Sequence, residues 1–537
     1  MAKESRFEIA GLKAERPLFC SLPKSQARTC SLATICEGRS APSRQRKTGL
    51  RCSETCRLNS FRYCTGGAME VKALLPWRYT FRGIALMMTG SAFACVITAQ
   101  QHSPAGQNLK TKTATYLSPT TESYLKLADE TEVMLRKDVL EVWFPRTVDN
   151  QNGGFRSNFA RDWTPLPGRD GKFSVFQGRM TWVASQAAVR RPELKEQFLP
   201  IAKHGLEYLN DAMWDKQYGG FYWGVSDEGK ISSFYTDGKH LYGMSFCLYG
   251  LAAAYQATND PKALELAQRA FHWMDEHAHD RKNGGYFEWL TREGKPVPAH
   301  PETGRIALLP VAMFPIGYKS MNTHIHLLEA YAQLYQVWKD DLLRQRLEEL
   351  LAIIRDKICV EPGAMNLYFT ARWEPIPDHD SYGHDVEAAY LMLETEDLLG
   401  QGHDPRTERM AKMLVDHALA YGWDGNLGGF YQDGTTYGKA ERRLKEWWVQ
   451  VEGLNALLLM HEKAGARNDT YFKAYQREWR FIKDYQVDSV YRGLYEMIGE
   501  DSKSTIPNKG LIWKAAYHDG RAFLNVSERL RQLARTP

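Results

Sequence analysis

From Tyr242 to Tyr255, apolar residues recur three and four positions apart over fourteen residues, a run too long for a strand and periodic as a helix is. His326 to Trp338 and Asp385 to Leu399 follow the same pattern. Between such runs stands a short glycine–aromatic signature that returns about every 65 residues. It reads Gly153-Gly154-Phe155, Gly219-Gly220-Phe221, Gly284-Gly285-Tyr286, a degenerate copy at Asn366-Leu367-Tyr368-Phe369, then Gly428-Gly429-Phe430 and Arg492-Gly493-Leu494. Paired glycines supply positive φ for tight turns, and the aromatics behind them alternate as short hairpin strands do. A fixed period means one supersecondary unit reused, each copy burying its neighbour's apolar face. Six helix pairs in one array predict an all-α fold, most simply a closed (α/α)6 barrel with short β-hairpin loops gathered at one end. An open solenoid is the competing arrangement, since repetition alone does not require closure.

The array occupies residues 116–537, and what precedes it differs in kind. Residues 1–68 carry 13 Lys/Arg against 5 Asp/Glu and six of the nine cysteines (Cys20, Cys30, Cys36, Cys52, Cys56, Cys64). Those spacings fit no standard zinc pattern and no histidine accompanies them. The segment reads as a disordered basic tail, or as sequence upstream of the true start. Residues 69–115 begin at Met69, with basic Lys72, Arg78 and Arg82 ahead of the apolar run Gly83 to Ala99 and polar Gln100-Gln101-His102. That is the layout of a secretory signal followed by a linker, with small residues for a cut at Ala92-Phe93-Ala94. The run is also long enough to act as an uncleaved anchor. Use of the signal would make the protein periplasmic or envelope-attached; otherwise it is cytoplasmic. Without the tail the net charge is −3, and no basic stripe appears, so nucleic acid is not an expected partner, nor is membrane insertion of the array. Monomer and homodimer are both compatible with the sequence.

Three histidines stand where a loop gives way to an amphipathic helix, in three separate units: His326 after Met321-Asn322-Thr323-His324-Ile325, His384 after Ser381-Tyr382-Gly383, and His518 after Trp513-Lys514-Ala515-Ala516-Tyr517. In a helical barrel that position faces the mouth or inner wall. His324 and His326 form an H-x-H, but residues two apart on a helix do not share a face and no third ligand accompanies them, so no metal is expected. Glu387 lies three residues after His384 on the same face, placed to steady its imidazole. Arg179 offers permanent forked donors for a carboxylate or enediolate oxygen. Tyr242, Asn322, Trp447-Trp448 with Gln450 and Glu452, and Trp513 add flat rings beside hydrogen-bonding groups. A carbohydrate, with apolar CH faces and many hydroxyls, is the small-molecule partner these suit.

At these residues the chain resembles the N-acylglucosamine 2-epimerase superfamily, and within it the cellobiose 2-epimerases. The likeness spans about residues 120–535. It is carried in order by Arg179-Met180-Thr181-Trp182, Lys239-His240-Leu241-Tyr242-Gly243, Met321 to His326, Tyr382-Gly383-His384-Asp385-Val386-Glu387, Trp447-Trp448-Val449-Gln450-Val451-Glu452 and Trp513 to His518. The resemblance implies an (α/α)6 barrel, cofactor-free epimerisation at C2 of a reducing sugar, and catalytic histidines at His384 and His518. It also implies binding or supporting roles for Arg179, Tyr242, Asn322, His326, Glu387, Trp447, Trp448 and Trp513. The chain departs from the pattern at Ala515-Ala516 and Asp519, and its segments at Asp162-Trp163 and from Lys295 to Pro315 are expected to shape the substrate rim.

The chemistry accounts for the residue set. The C2 proton of a sugar is acidic only once the ring opens to an aldehyde. One imidazole then takes that proton, donors such as Arg179 hold the enediolate, and an opposed imidazole returns a proton to the other face. His384 and His518 are the expected pair, with Glu387 supporting His384 and His326 assisting ring opening. An aldose–ketose isomerase would use the same enediolate. A glycoside hydrolase on the same barrel would need two carboxylates flanking the bond and leave the histidines idle. A non-catalytic carbohydrate-binding barrel would need the tryptophans alone.

Overall fold

The computed structural model describes residues 116–535, save 168–170, 233–234, 236, 298–318, 401, 403 and 466–467. The expectations for residues 1–115, and for most of the segment from Lys295 to Pro315, lie outside the described residues. Within them, helices come in consecutive pairs: α1 (Thr121–Met134) with α2 (Ser174–Arg190), α3 (Lys195–Tyr208) with α4 (Leu241–Thr258), α5 (Pro261–His277) with α6 (Met321–Val337), α7 (Asp341–Ile353) with α8 (Tyr382–Leu399), α9 (Pro405–Tyr421) with α10 (Trp447–Ala464), and α11 (Thr470–Phe481) with α12 (Tyr517–Leu533).

Polarity sorts the pairs into two rings. The odd helices are one-sided: α5 buries Ala263, Leu266, Ala267, Ala270, Phe271 and Met274 and turns Lys262, Glu265 and Arg269 outward. The even helices are apolar or paired almost all round, with Ser174 to Ala188 of α2 and Leu241 to Ala254 of α4 buried without a break. They form the inner ring. Closure is direct, because α2 packs on both α4 and α12, and α1 packs on α12. At the seam Arg190 donates to Asn525 at 2.9 Å and Arg191 to Ser527 at 2.8 Å. Helix α1 is further tied to α10 by Tyr124 Oη, 2.7 Å from His461 Nε2, and to α11 by Trp479 Nε1 donating to Glu130 at 2.9 Å. The fold is the closed (α/α)6 barrel, not an open solenoid. Among the described residues no helix is long and apolar enough to cross a membrane.

All inner helices run the same way. Toward one end, Gln186, Gln256, Gln333, Leu398 and Asn525 line a cavity of about 400 Å³. At the other end lie the repeated turns. In five repeats an aspartate four residues before the turn pair meets a lysine shortly before the next inner helix. The pairs are Asp149–Lys172 (2.8 Å), Asp215–Lys239 (3.1 Å), Asp280–Lys319 (2.8 Å), Asp424–Lys445 (2.7 Å) and Asp488–Lys509 (3.0 Å). Five residues beyond the lysine, Gln177 and Gln450 grip their turns, each accepting the N–H of the residue after the glycines and donating to its carbonyl. His324 holds that same seat in its own repeat, accepting from Tyr286 N at 3.0 Å while Nδ1 sits 2.6 Å from Ser320 O. The seat leaves no slack: a Cβ on Gly285, which has φ +71°, would come within 2.7 Å of His324 and 2.5 Å of Trp373.

A belt of two-residue strands links successive repeats. Each strand entering an inner helix pairs with one five residues past the next turn: Lys172–Phe173 with Gly224–Val225, Lys239–His240 with Trp289–Leu290, and Lys319–Ser320 with Tyr368–Phe369. This belt corrects the fourth signature. Its turn is made by Gly363-Ala364, between Cys359–Val360 and Ala364–Met365, three residues earlier than the aromatics suggested. Tyr368–Phe369 mimics the signature because it is the belt strand. The Asp162-Trp163 segment is corrected as well. Trp163 is buried edge-on against Trp143 at 5.1 Å and donates to Tyr491 O at 2.9 Å, which makes it packing rather than rim.

Candidate active site

The turn end of the barrel is also where the sequence-selected side chains gather, because nearly all of them sit on the first two turns of inner helices. His384 of α8 and His518 of α12 both lie against the ring of Trp448 on α10, with centroids 4.7 and 5.5 Å away. Trp447 meets His518 edge-on at 6.2 Å. Across from them, Arg179 of α2 donates to Tyr242 Oη of α4 at 3.0 Å and to the carbonyl of Trp513 at 3.2 Å. Its guanidinium lies over Phe246 and Tyr517 at 4.3 and 4.9 Å. The Tyr242 ring is 5.3 Å from His326 of α6, and Trp513 and Asn322 are half-buried, the latter with an unpartnered Oδ1. The three histidines, from three repeats, thus occupy one site.

Beneath the histidines lies a charged hub that the sequence reading passed over. Arg521 of α12 is buried and bonds four residues. Nη1 donates to Glu329 and to Tyr517 Oη; Nη2 donates to Glu387 and, at 2.6 Å, to Glu452. Glu452 Oε1 also lies 2.6 Å from His518 Nδ1, and its other oxygen accepts from Tyr390 Oη at 2.5 Å. His326 Nδ1 is 3.0 Å from Glu329.

The expected pairing of Glu387 with His384 is therefore corrected. Glu387 is engaged by Arg521 and stands 4.0 Å from His326 Nε2, whereas His384 Nδ1 is 2.7 Å from Ser381 Oγ. The three-residue spacing that suggested the pair is instead realised by His326 and Glu329. Gln450, offered as a sugar-binding amide, is spent on its turn.

Burial governs the electrostatics. It pushes the His384 imidazole down to about 3, against the pull of Glu387. It takes His518 well below the ordinary imidazole range, and Arg179 adds to the effect. Burial raises the Glu452 carboxyl, with Arg521 opposing. Glu329 feels the same burial, yet Arg521 and His326 bring it far below the usual carboxylate range. Burial thus disfavours the protonated form of both His384 and His518. Glu387, Glu452 and His518 have donor atoms within 4.8 Å of one another, as a metal site would, but Arg521 already supplies the cation between the two carboxylates. His324, the other half of the H-x-H, faces its turn.

A profile of the N-acylglucosamine 2-epimerase (GlcNAc 2-epimerase) family matches residues 153–519, which include every residue of this cluster save Arg521. The chain belongs to this family. A cellobiose 2-epimerase of Bacteroides fragilis is 30% identical over 401 residues, 74% of this chain and 97% of that protein. The solved structure of the cellobiose 2-epimerase from Spirochaeta thermophila superposes with a TM-score of 0.68 at 29% identity, over 76% of this chain and 98% of that one. A D-mannose isomerase structure, 20% identical, shares the fold with a TM-score of 0.63, over 78% of this chain and 100% of that one. The family member described here is a sugar epimerase or isomerase. Where it departs from the familiar pattern, Ala515 and Ala516 are buried, and burial raises the Asp519 carboxyl to about 6 against the pull of Lys514.

Proposed function

We propose that this enzyme inverts C2 of a reducing-end aldose, of the cellobiose, mannobiose or N-acylglucosamine type, by proton transfer between His384 and His518. The observation that carries the reading is the pair of imidazoles, from different repeats, packed on one tryptophan at the same end of the barrel. Arg179 and Tyr242 are placed to hold the enediolate oxygens, and a preorganised donor in a dry site is the usual largest contribution to such a step. Charge supports a two-base scheme. Burial favours the protonated form of Glu452, which suits a proton shared within the cluster. In our reading the bond between Glu452 and His518 holds it, His384 is free to take the C2 proton, and His518 returns its own to the opposite face. The reverse epimer exchanges the two roles. His326, held by Glu329, assists ring opening.

Incubation with cellobiose, mannobiose, glucose and N-acetylglucosamine in deuterated water tests this. Deuterium at C2 with inversion is the expected result. A ketose product would favour the aldose–ketose isomerase, which shares the enediolate but returns the proton to C1; shorter sugars would mean hydrolysis, and an unchanged sugar would mean binding alone.

A further inference from the structure

The fourth repeat breaks a rule the other five keep. Elsewhere each turn carries its own cation, a buried lysine against a buried aspartate. Here the aspartate's seat, four residues before the turn, is Cys359. The lysine's seat, two residues before α8, is Asp380, and the seat taken by Gln177, His324 and Gln450 is Asp385. His417 enters from α9 beside the turn, its Cβ 3.1 Å from where a Cβ on Gly363 would lie. Two carboxylates thus face each other with no ammonium to separate them.

Asp380, Asp385 and His417 are 1%, 0% and 3% exposed; both His417 ring nitrogens lack a hydrogen-bond partner, while the two carboxylates face each other and Asp385 also meets the Met365 N–H. His417 Nδ1 lies 3.5 Å from Asp380 Oδ2, and one donor atom from each of the three lies within 4.8 Å of the others. Desolvated carboxylates without a cationic partner are costly, and such groups are found paired or bound to metal.

We propose that this cluster is a structural metal site, in which a zinc-class divalent cation held by Asp380, Asp385 and His417, with water completing the shell, replaces the missing lysine ammonium. Histidine and aspartate together suit zinc. Bonds of about 2.0–2.3 Å place ligand atoms roughly 3.3–3.7 Å apart, so the cluster draws in slightly on binding. Any proton the carboxylates share leaves to solvent as the ion enters. Asp380 neighbours Ser381, which holds His384, and Asp385 neighbours His384 itself, so the ion would stiffen the turn that presents this base.

The test uses the full chain, stripped with a chelator and reloaded with Co2+ or Zn2+. Wild type should take up one Co2+ per chain with visible d–d absorption, lost in His417→Ala. Zn2+ at 100-fold over its Kd should raise Tm by roughly 3 °C or more. Asp380→Lys, which restores the residue of the other repeats, should fold cooperatively, bind no metal and show a Tm indifferent to Zn2+. No stoichiometric uptake by wild type, or an unmoved Tm with Asp385→Asn at least as stable, would mean that the carboxylates share a proton and would overturn the proposal. None of these readouts depends on turnover, so they stand apart from the epimerase reading.

Discussion

At the residue scale, the two proposed bases are distinguishable. His384→Ala and His518→Ala should each lower epimerisation by about 10²–10⁴-fold, the usual worth of a general acid or base. Each variant should still exchange deuterium at C2 of one epimer, because the surviving imidazole can take and return a proton on its own face. Full activity in both would refute the assignment. Glu452 is a positioning residue for His518, and Glu452→Gln should reduce kcat by roughly 10-fold or more with little change in KM, as loss of an orienting carboxylate does. The pH profile carries a sign. Burial keeps His518 deprotonated to below the ordinary imidazole value of about 6.5, and protonation on acidification removes the base. For the epimer whose C2 proton faces His518, kcat/KM should therefore hold through that value and fall only at lower pH; an acid limb centred near 6.5 would count against the buried geometry.

At the scale of elements, the turns depend on their buried ion pairs more than on the glycines. Lys319 is fully buried against Asp280 and also donates to the carbonyls of Gly284 and Ala371. Asp280→Ala should cost about 3–5 kcal/mol in denaturant unfolding by stranding that ammonium, and adding Lys319→Met should recover much of the loss. Such pairs also mark what was legible beforehand. Helix pairs and five turn copies could be read because their signals are local: a three-to-four period and adjacent glycines. The staples could not, since Asp280 and Lys319 lie 39 residues apart and nothing near either names the other. The same reason hid the support of His518, whose carboxylate comes from a helix 66 residues earlier, while a correct rule about three-residue spacing was applied to Glu387 instead of Glu329. The fourth turn was misplaced because its glycine is followed by Ala364 and a belt strand supplies the aromatic pair.

At the scale of the molecule, one seam decides whether twelve helices make a ring. Helix α1 covers α12 where the first and last repeats meet, so a chain beginning at residue 144 should lose a single cooperative unfolding transition and become cleavable within α12, as limited proteolysis would show. The common direction of the inner helices has a further consequence. Peptide dipoles add along each helix, leaving about half a positive charge at its N-terminus and half a negative one at its C-terminus. Six such termini face the histidine end, which gives it a standing positive potential independent of any titrating group. An enediolate formed there meets a favourable field before any side chain moves, and the opposite mouth repels the same charge. Small inorganic anions should feel that field as well, so sulfate is expected to raise KM for the sugar while leaving kcat nearly unchanged.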